Sequence, residues 1–148
     1  LHYGAPKVWY SVPAHASESF EACIKQHLPH LFQQQPDLLY SPVTMLPPSL
    51  LQEAGVPVYR TVQHPNEFII TFPYAYNTGF NTGYNCAEST NFAPPDWLHY
   101  GAHAVNKYKI ERQIPPLSHD KMLLNLAGVA PFCPPRVRLA LPDAFEAR

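Results

Sequence analysis

Hydrophobic and polar positions change their spacing several times along this chain. Lys7-Val8-Trp9-Tyr10-Ser11-Val12 alternates between two prolines, which predicts a β-strand entered through a turn containing Gly4. Over residues 14–31 the pattern becomes helical: Phe20, Cys23, Ile24, Leu28 and Leu31 fall on one side and Glu18, Glu21, Lys25 and Gln26 on the other. His27 and His30 read as solvent-facing or helix-end residues. A short helical turn is expected at Leu38-Leu39-Tyr40, stopped by Pro42, and a short strand at Val43-Thr44-Met45-Leu46. Pro47-Pro48-Ser49 then leads a helix over residues 50–54, closed by Gly55. Residues 58–63 form the next predicted strand, turned through His64-Pro65-Asn66 into residues 67–72 as an antiparallel hairpin, with Asn66 in the left-handed region.

Residues 67–72 are apolar on both predicted faces, as in a strand inside a sandwich or barrel, and Pro73 ends them. Asn-Thr-Gly then occurs twice, at 77–79 and 81–83, and predicts two tight turns. These would gather Tyr76, Phe80 and Tyr84 around Asn77, Asn81, Asn85, Ser89, Thr90 and Asn91. Amides and hydroxyls facing an aromatic wall can fix a ligand by hydrogen bonds; equally, asparagine is common in turns because it tolerates positive φ. Further on, Pro94-Pro95-Asp96 is expected to cap a helix from Trp97 to about Lys109, with Leu98, Gly101, Ala102 and Val105 inward. Ser118 caps a helix from His119 to Leu126, ended by Gly128. From Pro131 the chain turns to Pro, Arg and Ala without periodicity, so poor order is expected there.

Composition adds constraints. The chain has 148 residues, 46% hydrophobic and 14% charged, which predicts a packed domain rather than a disordered segment. Its formal net charge is −1 and its ten Lys and Arg are scattered, so no direct nucleic-acid surface is expected. Three cysteines without a Cys-x-x-Cys pair suit a reducing compartment. No apolar run is long enough for a membrane span and no signal peptide is evident, so no membrane partner is expected. A chain opening on Leu1 inside a structural element reads as a fragment.

One run is specific enough to suggest a family. Phe72-Pro73-Tyr74-Ala75-Tyr76, Gly79-Phe80-Asn81 and Gly83-Tyr84-Asn85-Cys86-Ala87-Glu88-Ser89-Thr90-Asn91-Phe92-Ala93 together resemble the second half of a Jumonji-C domain of the histone lysine demethylase type. Leu1-His2-Tyr3-Gly4, Pro6-Lys7-x-Trp9-Tyr10-x-Val12-Pro13, Gly55-Val56-Pro57 and Trp97-x-x-Tyr100-Gly101 match in the same order. The resemblance implies an α+β fold, mainly antiparallel β: an incomplete double-stranded β-helix, jelly-roll or cupin-like, with inserted and C-terminal helices. Residues 1–110 would be the partial JmjC domain, without its first strands and metal-ligand pair. Residues 111–130 would be the helical segment that follows the domain in the plant and retinoblastoma-binding-protein branches, and residues 131–148 a Pro-rich tail.

The implied reaction is oxidative demethylation by Fe(II), 2-oxoglutarate and oxygen, with iron on two imidazoles and one carboxylate. The resemblance places a His-x-Asp/Glu pair before Leu1, in the missing N-terminal part of the same protein, and puts Asn77 where the family pattern Tyr-His-x-Gly-Phe-Asn has its third ligand. An amide oxygen is a weak donor for such a site. By the same resemblance Lys7 grips the distal carboxylate of 2-oxoglutarate and Trp9 lines that pocket, whereas on its own pattern Lys7 also reads as a strand-edge lysine. Ser89 and Asn91 match positions lining a methyl-lysine pocket, and read equally as residues satisfying neighbouring backbone. A structural zinc found in one branch is not expected, because the matching segment reads Ala104-Val105-Asn106-Lys107-Tyr108-Lys109.

Three functions follow as expectations. The chain is part of a nuclear histone lysine demethylase acting on a methyl-lysine histone tail, and alone it is inactive and is not expected to bind Fe(II) or 2-oxoglutarate. Alternatively it belongs to a catalytically dead JmjC scaffold that binds histone or chromatin partners. A small-molecule-binding cupin without a chromatin role ranks last.

Overall fold

The computed structural model describes residues 1–40 and 45–146, with the backbone alone described at Tyr40. They form two compact units, Leu1–Ser89 and Thr90–Arg148.

In the first unit the strands are β1 (Tyr3–Gly4), β2 (Lys7–Val12), β3 (Tyr59–Gln63), β4 (Tyr76–Asn81) and β5 (Asn85–Cys86). They make a three-stranded sheet in the order β3-β2-β4 and a two-stranded ribbon β1-β5, all antiparallel. The central strand is the alternating segment read from the sequence. Side chains alternate across a strand and directly opposed residues share a face. One face therefore carries Lys7, Trp9 and Ser11 with Gln63, Thr61 and Tyr59 on β3 and Asn81, Gly79 and Asn77 on β4. The other carries Val8, Tyr10 and Val12 with Val62, Arg60, Phe80, Thr78 and Tyr76.

The helices of this unit are α1 (Ser17–His27), α2 (Pro29–Gln34) and α3 (Pro48–Glu53), with 3-10 turns at Ala14–Ala16 and Leu38–Tyr40. Val12, Ala16, Cys23, Ile24, Leu46, Leu51 and Val56 form the core, with Phe20 and Tyr76 packed against it, so α1 covers the Val12 side of the sheet. The single helix expected over residues 14–31 is divided at Leu28, because Pro29 has no N–H to donate and restarts the helix at its first position. His27 and His30 are exposed, Asn66 has φ 69°, and Gly55 follows α3 at φ 76°, as the pattern predicts. The strand expected at Val43 and Thr44 lies outside the described residues; Met45 and Leu46, its continuation, form no strand.

Two expectations fail here for one topological reason. Residues 67–72 form no strand and no hairpin with β3; Phe68 is 88% and Phe72 74% exposed. Because β3 and β4 lie on opposite sides of β2, residues 64–75 serve as the crossover from one edge of the sheet to the other rather than as a return along β3. The first Asn-Thr-Gly is likewise no turn: Asn77, Thr78 and Gly79 lie inside β4, and only the second triplet reaches a bend, at Thr82 and Gly83. Gly79 is needed for close approach, since a Cβ there would lie 2.5 Å from the Val8 carbonyl oxygen and 3.1 Å from Trp9 Cε3.

The Tyr76 hydroxyl donates to Glu21 Oε1 at 2.8 Å and its ring lies 4.6 Å from that of Phe20. Burial, then the bond to the Glu21 carboxylate and its charge, raise the Tyr76 phenol well above the ordinary tyrosine value. The folded state thus holds a proton that the unfolded state releases near pH 10, so this contribution to stability is complete below pH about 10 and is lost as pH rises beyond it. Tyr76→Phe is expected to lower stability at pH 8 by about 1.5–3 kcal/mol, the range of a hydrogen bond to a charged group, and to flatten the decline between pH 10 and 11. Urea denaturation of both proteins across that range checks it.

The second unit is helical: α4 (Leu98–Ile110), α5 (His119–Val129) and α6 (Pro135–Glu146), with 3-10 turns at Pro95–Trp97 and Ala130–Phe132. Leu98, Leu123, Leu141 and Ala144 are its buried core. Ser118 caps α5 as its pattern predicts, accepting from the Lys121 N–H. Asp96 does not cap α4; its carboxylate takes Arg136 Nη2 at 3.0 Å. The α5 helix runs through Gly128 to Val129, and Pro135–Glu146, where poor order was expected, is a helix with Leu141 and Ala144 inside. His119 Nε2–H donates to the Leu98 carbonyl at 3.0 Å, and Gly101 leaves the room: a Cβ there would lie 2.5 Å from that nitrogen. Among the described residues helices outweigh strands, so the expected α+β class with antiparallel sheets is present there but the predominance of β is not.

Candidate functional site

The alternation of β2 puts Lys7 and Trp9 on the face away from α1, two residues apart and therefore side by side. Lys7 Nζ lies 4.5 Å from the centroid of the Trp9 ring, where the negative π-face attracts the cation. Trp9 is itself held. Its indole N–H donates to Gln63 Oε1 at 2.9 Å, and Gln63 Nε2 donates to the Glu67 carbonyl oxygen at 2.9 Å. Gln63 is only 6% exposed although it ends a strand that is otherwise largely outside. On the far side of Trp9 stands Gly79, whose missing side chain admits the indole.

Asn77 is on the same face, exposed and directly opposite Ser11. Four residues along β2 separate Ser11 from Lys7, about 13 Å at the usual strand rise. Asn81, opposite Lys7, completes this polar row. The two-stranded ribbon carries Asn85, whose side-chain N–H donates to the Ala5 carbonyl oxygen at 2.9 Å, and leads to His2 and Glu88, whose side chains meet at 3.1 Å. Ser89 and Asn91 are exposed and lie outside regular secondary structure; Ser89 ends the first unit and Asn91 belongs to the second. Of the sequence-predicted residues, the structure brings Lys7, Trp9 and Asn77 to one face. Phe80 lies on the opposite face of the sheet and Tyr84 is 83% exposed, so the aromatic ring of residues expected around the asparagines does not form.

Chemically, the row offers a cation beside an aromatic plane, with amides and a hydroxyl along the same surface. That suits the carboxylate of a small acid, which an ammonium binds as a point charge. It does not suit iron. Asn77 supplies a neutral amide, and among the described residues no group of three or more His, Cys, Asp or Glu side chains is placed to hold a metal ion. Gln63 was missed in the sequence because a glutamine ending a strand reads as surface, and only the strand register places it opposite Lys7.

An antiparallel sheet backed by helices, with a lysine and a tryptophan paired on its open face, defines an α+β domain. Comparison with known proteins gives the family. The profile of the JmjC domain, hydroxylase, matches residues 1–92, and the chain belongs to that family, which is cupin-like. It is 52% identical over 130 residues to lysine-specific demethylase JMJ703 of Oryza sativa subsp. japonica, covering 88% of this chain and 10% of that protein. Over 127 residues it is 47% identical to lysine-specific demethylase JMJ17 of Arabidopsis thaliana, with 86% of this chain and 10% of that protein covered. Lysine-specific demethylase 5B of Gallus gallus is 46% identical over 130 residues, 88% of this chain and 8% of that protein. The chain thus spans about a tenth of the length of the relatives it matches. No helix among the described residues is long and apolar enough to cross a membrane.

Proposed function

We propose that this chain is the C-terminal part of the catalytic domain of a nuclear histone lysine demethylase dependent on Fe(II) and 2-oxoglutarate, and that by itself it is inactive. The observation that carries the reading is the Lys7 ammonium seated on Trp9, on the sheet face that also bears Asn77. Relatives named as lysine-specific demethylases at about half identity support the substrate class. In this reading the sheet is a portion of a double-stranded β-helix whose remaining strands come from the preceding part of the same protein. Lys7 holds the distal carboxylate of 2-oxoglutarate, Trp9 shields that ion pair from water, and the exposed Ser89 and Asn91 face the methyl-lysine of a histone tail. Bound 2-oxoglutarate supplies the electrons that accompany oxygen activation in this chemistry. No step is assigned to iron, because Asn77 is an unsuitable ligand.

Asn77 favours a second reading, in which the JmjC scaffold binds the histone tail without turnover. The two separate in the protein extended to include the segment with the expected His-x-Asp/Glu pair. Formaldehyde release from a trimethyl-lysine histone peptide is expected to rise at least about 100-fold on Asn77→His, since loss of mere supporting contacts around a metal already costs 10–100-fold. Equal turnover by wild type and Asn77→His would refute the ligand reading of position 77. Peptide binding without turnover in either protein would establish the scaffold.

A further inference from the structure

We infer that Gln63 is the positioning residue of the Lys7 anchor, acting through Trp9; the inference rests on the dicarboxylate reading of the preceding subsection and deepens it. A buried primary amide must place both its acceptor and its donor, and here each partner dictates which end it meets. An indole N–H can only donate, so it takes the oxygen; the Glu67 carbonyl can only accept, so it takes the nitrogen. The amide is thereby fixed at both ends. It fixes the rotation of the Trp9 ring in turn, and that ring carries the Lys7 ammonium 4.5 Å from its centroid.

The pairing has a geometric basis. Lys7 and Gln63 are directly opposed across β2 and β3, while Trp9 lies between Thr61 and Gly79. With Gly79 leaving no side chain against it, Trp9 packs against a bare backbone on that side and depends on Gln63 for its orientation. A long lysine side chain on an exposed sheet face otherwise samples many rotamers, and ordering it on ligand binding opposes affinity. The sequence Gln63–Trp9–Lys7 removes part of that loss in advance.

The ε-methylene protons of Lys7, lying over an indole, are expected upfield of ordinary lysine in the NMR spectrum of the chain. Gln63→Met, close to glutamine in volume, should return them to the ordinary position. Gln63→Glu should keep them upfield, because a carboxylate oxygen still accepts from the indole although the bond to Glu67 is gone; a purely structural glutamine would be missed equally in both. An unchanged Lys7 shift in Gln63→Met overturns the inference. Should that variant fail to fold, Gln63→Glu decides alone: an indole N–H of Trp9 protected from exchange, with the Lys7 shift retained, supports it, and a freely exchanging indole or a lost shift overturns it. Calorimetric titration with 2-oxoglutarate of the protein extended by the preceding segment, metal absent, reads the consequence: binding abolished by Lys7→Met and weakened about fivefold by Gln63→Met, within the range of one net hydrogen bond. Absence of binding by the unaltered extended protein would refute the dicarboxylate reading, and the Lys7 shifts would then still decide the role of Gln63.

Discussion

Gly79→Ala is expected to destabilise the first unit by about 2–3 kcal/mol, the upper part of the range for overpacking a filled site. The added methyl would lie 2.5 Å from a backbone oxygen, that of Val8, and 3.1 and 3.2 Å from two carbons of the Trp9 ring. The indole can swing, but the carbonyl belongs to the strand pairing of β2 with β4 and cannot withdraw without opening that ladder. A melting temperature lower by roughly 10 °C or more follows for a unit of this size. Displacement of the indole from Gln63 should also expose Trp9 and shift its fluorescence to the red, measured in a Trp97→Phe background. A melting temperature within a degree or two of the parent would show that the two strands are farther apart than the structure has them.

The second large effect lies in the helical unit. Leu123 is 0% exposed and is packed with Leu98, Leu141 and Ala144, flanked by Met122, Leu126, Ala130, Ala140 and Phe145. Leu123→Ala is expected to cost about 3–4 kcal/mol, since neighbours on three helices cannot collapse together into the space. A unit this small buries little in total, so most of its stability is at stake. Circular dichroism at 222 nm during heating should show a lower and broader transition than the parent. A sharp transition at the parent temperature would mean that Leu123 is not central to this core.

What the sequence made legible was what nearest neighbours decide. The alternation of Lys7 to Val12 and the three-and-four spacing of Phe20, Cys23 and Ile24 each state a period that burial then enforces. Asn66, Gly55 and Ser118 were readable because each answers a local backbone demand. Residues 67–72 misled because an apolar, β-branched run says only that a strand would be comfortable; whether an edge is free to pair with it depends on the order β3-β2-β4. Asn77-Thr78-Gly79 misled in the opposite sense, turn residues being used in a strand so that Trp9 can approach. In the last helix, Val137, Leu141 and Ala144 do recur at four and three, but Pro134, Pro135 and Pro142 hid the period. Pro135 occupies the first helical position, where a proline sacrifices no hydrogen bond.

For the site, the pair Lys7 and Trp9 was visible through family resemblance, and alternation alone puts them on a common face. Gln63 was not visible, because its role comes from a register that joins residues 54 positions apart. The position of Asn77 opposite Ser11 is of the same kind. Ser89 and Asn91 remain assigned by resemblance.

The central place of β2 has a consequence for synthesis. Its two neighbours begin at Tyr59 and Tyr76, so once made β2 has to wait for both. At ribosomal speeds of about 5–20 residues per second, the interval before β4 is complete is on the order of ten seconds. During that time a segment containing Val8, Trp9, Tyr10 and Val12 leaves the tunnel with both of its hydrogen-bonding edges open. This domain is therefore most dependent on chaperones while residues 13–81 are being made, at the strand that later carries the Lys7 anchor, and closing these distant pairings makes folding slow for a chain with so much helix.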